Sequence, residues 1–359
     1  MTTEKNEQIV KNLSEAIDKM TAGDFKLIFI SPDTKGNPRA SVSNIYKQAK
    51  ILFDLGHKVV MLTEKKDNIN ASAWLGSEYD TIPHFSIEEN LLSIDPQDIL
   101  VVPEIFGNVL EQIEKLPIEK IFFVQSYEYI FDTFAPGKCF LDYGAEECLT
   151  TSQNIANLIN DTLKYPNIKV IPIGIEDCFS PSDKPQKPLV AIHCRESRKA
   201  AKIIKTFYLK YPIYRFLSFK DMHGMIETDF AANLKECCLS VWIDDESSFG
   251  TFPVESIKCN VPVVGKIPNI QAEWMTDDNG IWLYDDNHIV DIIANYIKNW
   301  LEDSLPENLL NVSKTLEGKY GMEEFKSITK DIYEYYISNK IAKLEKIKET
   351  YLKTETTNG

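Results

Sequence analysis

Residues 247–265 read SSFGTFPVESIKCNVPVVG, and the order of features in this stretch decides the fold. An apolar run of strand length, LSVWID at 239–244, precedes it, and its own last five residues, VPVVG, form a second such run. Between the two runs Ser248, Phe249, Gly250 and Thr251 make a turn that opens a helix through Glu255. Strand, turn, helix and strand in that order form a βαβ unit, which implies a parallel sheet. Free amides and the helix dipole at such a turn attract a diphosphate, and Gly250 permits close backbone approach. Glu255, about one turn into the helix, offers a carboxylate that can accept hydrogen bonds from both hydroxyls of a ribose.

The alternation extends outward on both sides. In the same half it includes PLVAIHC (188–194), a helix over 197–210, the strand YRFLSF (214–219), a helix over 228–237 and, further on, a helix over 289–300. An earlier series starts with FKLIFIS (25–31) and a breaker-rich loop at 32–40. A helix capped by Ser41 or Ser43 follows, with Ile45, Ala49, Leu52 and Phe53 at helical spacing, and then the strand KVVMLTE (58–64). Strands at 98–104, 120–125 and 168–174, a helix at 109–116 and the pair ECLTTS and NIANLIND complete this series. The stretch EDCFSPSDKPQKP (176–188) lacks periodicity and is rich in Pro and Ser, as a linker is. Two Rossmann-like, doubly wound α/β domains are therefore expected at 1–175 and 188–303, followed by helices and a tail at 304–359.

Composition agrees with this reading. A chain of 359 residues exceeds what one core usually organises. With 43% hydrophobic and 26% charged residues it matches the soluble globular class. Apolar runs are strand-sized, too short for a membrane span, and the charged N-terminus lacks a signal core, so a cytoplasmic location is expected. Seven cysteines without paired spacing read as buried free thiols, and no metal-binding motif is present. A net charge of −15 disfavours a polyanionic partner. From 322 to 352 an apolar stripe of Ile332, Tyr336, Ile337, Ile341, Leu344 and Ile347 predicts a helix that packs on the chain's own domains. A homo-oligomer formed through this helix is the alternative. His57, at a helix end beside Gly56, reads as structural.

The segment FGTFPVESIKCNVPVV resembles the pattern F-G-x-x-x-x-E-A-x-A-x-G-x-P-V-V of the retaining GT-B glycosyltransferases, the family 4-like group. LFDLGHKVVMLTE, TTSQNIANLI and VIPIGIEDCFSPSD resemble further segments of that family, in the same order, so the resemblance spans residues 25 to 300. It implies a GT-B fold and transfer of a sugar, with retention, from a UDP, GDP or dTDP sugar to a hydroxyl acceptor. That acceptor would be a saccharide, a lipid-linked sugar or another hydroxyl compound, and the reaction would use no metal and no cofactor beyond the donor.

The resemblance also assigns positions. Ser247, Ser248, Phe249, Gly250, Thr251 and Glu255 would hold the nucleotide, with Arg195 and Lys199 neutralising the departing diphosphate and Arg198 or Lys202 as substitutes. The family places a carboxylate eight residues before Glu255, where this sequence has Ser247 with Glu246 adjacent. His223 stands where relatives contact base or phosphate. On the acceptor side lie Gly36 and Arg39 in the first loop, and Gln125, Tyr127 and Glu128 from FFVQSYEYIF, which resembles a Q-D-Y-E strand end. Three other activities fit the same fold: a sugar-nucleotide epimerase, a non-catalytic scaffold, and a phage-type enzyme that glycosylates DNA bases, which the acidic charge disfavours.

Overall fold

The computed structural model describes residues 3–66, 71–165, 167–246 and 249–357. The first half is a seven-stranded sheet of β1 (Lys26–Ile30), β2 (Lys58–Thr63), β3 (His84–Ser86), β4 (Ile99–Pro103), β5 (Glu119–Val124), β6 (Glu147–Thr150) and β7 (Ile168–Val170). Its spatial order is β3-β2-β1-β4-β5-β6-β7, with every neighbouring pair parallel. Around it run α1 (Thr3–Thr21), α2 (Ala40–Asp54), α3 (Ser72–Leu75), α4 (Gly107–Gln112), α5 (Tyr129–Asp132) and α6 (Gln153–Leu163).

The second half carries β8 (Lys187–Cys194), α7 (Ser197–Lys210), β9 (Ser218–Asp221), α8 (Glu227–Leu234), β10 (Cys237–Ile243), α9 (Thr251–Lys258), β11 (Val263–Lys266), β12 (Gly280–Leu283) and α10 (Ile289–Leu301). Its five parallel strands lie in the order β12-β11-β10-β8-β9. Strands buried on both faces must be apolar throughout, which is why β4 (ILVVP) and β10 (CCLSVWI) lack alternation. The chain reverses its direction of winding between β1 and β4 in one sheet and between β8 and β10 in the other. Open parallel sheets bind ligands outside the strand ends at such switch points.

The last helix, α11 (Met322–Thr357), returns to the first half. Phe325, Tyr333 and Tyr336 enter the same core as Phe29, Tyr46 and Val101, and the stripe residues Ile332, Ile337, Ile341 and Leu344 pack against it. Tyr333 Oη donates to Gln48 Oε1 at 3.2 Å, and Lys340 Nζ reaches the carbonyls of Pro96 and Asp98 at 2.7 and 2.5 Å. Gly174, in the crossover, lies directly under this helix, and a Cβ there would stand 2.6 Å from the Phe325 ring.

Several sequence expectations shift locally. Neither Ser41 nor Ser43 caps α2, which begins at Ala40 with Arg39 extended and no side-chain cap, because Ser43 Oγ turns instead to Glu227 of the second half. The strand expected over 214–219 starts only at Ser218, since Pro212–Tyr214 is a 3₁₀ turn that stacks Tyr214 on Phe207. Cys237 belongs to β10, not to the preceding helix, because it pairs with Lys187 of β8. The short strands β3 and β12, unannounced by any long apolar run, close the two sheets. Among the described residues no helix is long and apolar enough to cross a membrane, and the seven cysteines are unpaired.

Candidate functional site

The two switch points face one another across a cleft of about 700 Å³. The first half contributes the loop after β1 with Pro32 and Arg39, the end of β4 with Glu104, and Gln125, Ser126 and Tyr129 beyond β5. The second half contributes His193 at the end of β8 and Arg195 just after it, His223 after β9, Asp244 after β10, and Phe249, Gly250, Thr251 and Glu255 at the start of α9.

Local chemistry fixes the α9 turn. Gly250 is the N-cap residue at φ +75°, a left-handed conformation that costs a residue with a Cβ energy. A Cβ there would also meet Trp274, Pro253 and Trp242 at 3.0–3.1 Å. The Trp274 indole donates to the Phe249 carbonyl at 2.7 Å, which pins the turn from behind. At the other end of α9, Asn260 adopts φ +60°. It takes the place of the glycine in the resembling pattern, and Asn tolerates this conformation better than most residues.

Charge is concentrated where the halves meet. Lys47 of α2, only 5% exposed, pairs with Glu227 at 2.8 Å and with Glu176 at 3.0 Å. Burial opposes its charge, but the two carboxylates outweigh that and hold its pKa above the ordinary value. Burial, reinforced by Glu227 and opposed by Lys47, pushes the Glu255 carboxyl well above the usual range. Arg195 grips Asp244 through Nε at 2.7 Å and Nη2 at 3.2 Å, approaches Glu246 at 3.0 Å, and donates to Tyr129 Oη at 2.7 Å. The rings of Phe252, His193 and His223 stack in series. Burial, with His223 nearby, lowers His193 to about 4, and among the described residues its buried Nδ1 has no hydrogen-bond partner.

The structure brings together eight of the expected residues: Arg39, Gln125, Arg195, His223, Phe249, Gly250, Thr251 and Glu255 all line the cleft. Others lie elsewhere. Lys199 is outside it, paired with Asp286 at 3.1 Å and Asp245 at 3.6 Å, because the helical turn after Arg195 carries it to an acidic rim. Arg198 points to solvent on the same helix. Gly36 makes a turn in the first loop without reaching the cleft. Tyr127 bonds Thr162 at 2.7 Å and meets Phe131 edge-to-face, and Glu128 accepts from Asn269 of the other half at 3.0 Å, so both serve packing between elements. Ser247 and Ser248 lie outside the described residues.

No protein-family model and no curated protein matches the sequence. The fold does match solved structures. Sucrose-phosphate synthase from Thermosynechococcus elongatus aligns over 88% of this chain and 100% of its own, at 12% identity and a TM-score of 0.62. HepE from Anabaena, in complex with UDP and glucose, aligns over 87% of this chain and 99% of its own, at 13% identity and a TM-score of 0.63. A glycosyltransferase from Rickettsia africae aligns over 88% and 99%, at 13% identity and a TM-score of 0.55.

The chain has the GT-B fold. Sequence reasoning missed several residues of its GT-B cleft, among them Lys47, Glu104, Glu176 and Glu227. Glu104 carried a signal, a lone carboxylate ending an apolar strand next to β1 in the doubly wound order. Lys47 carried none, since a lysine in a helix reads as surface.

Proposed function

We propose that this chain is a glycosyltransferase that moves a sugar from a nucleoside-diphosphate donor to a hydroxyl acceptor. One observation carries the reading: a GT-B cleft that unites the α9 turn and Glu255 with Arg195, opposite Arg39 and Gln125. The second half, near 188–303, binds the donor, with Glu255 on the ribose and the amides at Phe249–Thr251, with Arg195, on the diphosphate. The first half, near 1–175, presents the acceptor. UDP is the first nucleotide to test, because the fold neighbour HepE was solved with UDP and glucose. Following the family resemblance, the anomeric configuration is retained, no metal is required, and the departing phosphate takes up the acceptor's proton.

Calorimetry with UDP, GDP and dTDP, followed by mass-spectrometric detection of donor consumption, tests the reading. Binding of at least one nucleotide, lost in Glu255→Ala, is the expected result. A chain that binds none of the three is not a sugar-nucleotide enzyme. Donor isomerised without an acceptor would make it an epimerase.

A further inference from the structure

We propose that the Glu104 carboxylate receives the acceptor: it accepts the hydrogen bond of the attacking hydroxyl and aims that oxygen across the cleft at the donor sugar. The inference rests on the transferase reading above and adds to it the residue that engages the acceptor.

Position is the first argument. Glu104 follows directly on β4, beside the end of β1, at the switch point of the first sheet, and it lines the cleft facing the donor half. The second argument is its support. Its Oε1 accepts the Ser126 amide at 2.8 Å, and its backbone carbonyl accepts from Thr133 Oγ1 at 3.0 Å. Ser126 in turn donates its hydroxyl to the Glu246 carbonyl at 2.9 Å, so the peptide that holds Glu104 is tied to the opposite half. A side chain fixed in this way can place a substrate atom accurately.

The third argument is what Glu104 lacks. It is 4% exposed, yet among the described residues no lysine or arginine forms an ion pair with it. A buried carboxylate without a cation is costly, and a group kept at that cost in a cleft is a candidate for function. A carboxylate offers about four lone-pair directions, so the amide contacts leave capacity for a hydroxyl. During transfer the acceptor oxygen bonds to the anomeric carbon while the bond from that carbon to the diphosphate breaks. The electron pair of that bond leaves on the diphosphate, and the hydroxyl hydrogen turns from Glu104 to a departing phosphate oxygen, which takes the proton. Glu104 is unchanged by the step.

Burial pushes the Glu104 carboxyl up to about 7, against the lowering effect of the amides of Glu104, Ser126 and Gln125. Cys148 of β6 is close enough to feel its charge, while Tyr129 of α5, Arg39 of the first loop and Arg195 with Asp244 line the same cleft. The ionised form accepts the hydroxyl more strongly than the neutral acid, so acceptor use is expected to fall as pH drops through about 7.

The test uses the full chain with UDP-glucose, GDP-mannose and dTDP-glucose as donors and a panel of p-nitrophenyl glycosides as acceptors. At pH 8, Glu104→Gln is expected to lower kcat/KM for the acceptor about ten- to hundredfold, the loss of one hydrogen bond to a charged group. Glu104→Asp should recover part of that loss, and nucleotide affinity should stay within about twofold throughout, which also reports that the variants fold. Wild type should show the acidic limb near neutrality, and Glu104→Gln should lack it. A variant with wild-type rates, or a limb that survives the substitution or is missing from wild type, overturns the inference alone. Wild type that binds no nucleotide, or binds it and neither transfers nor hydrolyses the donor, overturns the transferase reading and this inference with it.

Discussion

Lys47 Nζ on α2 of the first half lies 2.8 Å from Glu227 Oε1 at the start of α8 in the second, and 3.0 Å from Glu176 in the connection between them. One enclosed cation therefore touches both halves and the crossover. Removing it strands two carboxylates beside a third, Glu255. Breaking a fully buried pair costs about 3–5 kcal/mol, but Glu176 and Glu227 keep access to water, so Lys47→Met should cost about 2 kcal/mol in urea unfolding. Lys47→Met combined with Glu227→Gln should recover part of that loss, and strict additivity would show that the two side chains do not interact.

Glu255 gives a stability signature with a definite sign. Its folded-state pKa is raised above the unfolded value, so between the two values the folded chain holds a proton that the unfolded chain has lost. Its contribution to stability is therefore greatest below the ordinary carboxylate range and declines as pH rises through the raised pKa. Glu255→Gln should melt higher than wild type at pH 8, with the gap closing by pH 4.5. Thermal melts across that range check it, and a gap that does not change with pH would contradict the burial.

Much of this architecture was legible because the apolar runs are long and unbroken. The strands at Lys26–Ile30, Ile99–Pro103 and Cys237–Ile243 are apolar on both faces, and their order with the intervening helices dictates two parallel sheets. The α9 turn was legible because a glycine after a strand has few other uses. Other features depend on distance in sequence. Lys47 meets Glu227 across 180 residues, and no local pattern encodes that pairing. Lys199 was expected in the cleft from the family resemblance, but the start of α7 turned it towards Asp286. His84–Ser86 and Gly280–Leu283 are too short to declare themselves and exist because neighbouring edges offer them partners.

Gly250 should tolerate no side chain. Gly250→Ala adds a Cβ at φ +75° and 3.0–3.1 Å from three neighbours. Left-handed strain and overpacking together should cost about 2–3 kcal/mol. Displacement of the turn should also weaken nucleotide binding at least tenfold by calorimetry, and an unchanged affinity would remove the turn from the binding site.

The two cations assigned to the diphosphate should behave differently. Arg195 lines the cleft whereas Lys199 does not. Arg195→Gln is expected to weaken UDP binding about tenfold or more, and Lys199→Met to leave it within about twofold. Equal losses would restore Lys199 to the site.

The packing of α11 bears on the order in which this molecule matures during synthesis. Phe325, Tyr333 and Tyr336 complete the core under β1 and β4, yet they are translated after the entire second half. The sheet that emerges from the ribosome first must wait, one flank open to water, until the residues that cover it arrive. A chaperone that shields exposed apolar surface would find its target in the N-terminal sheet, whose completion is the final act of folding.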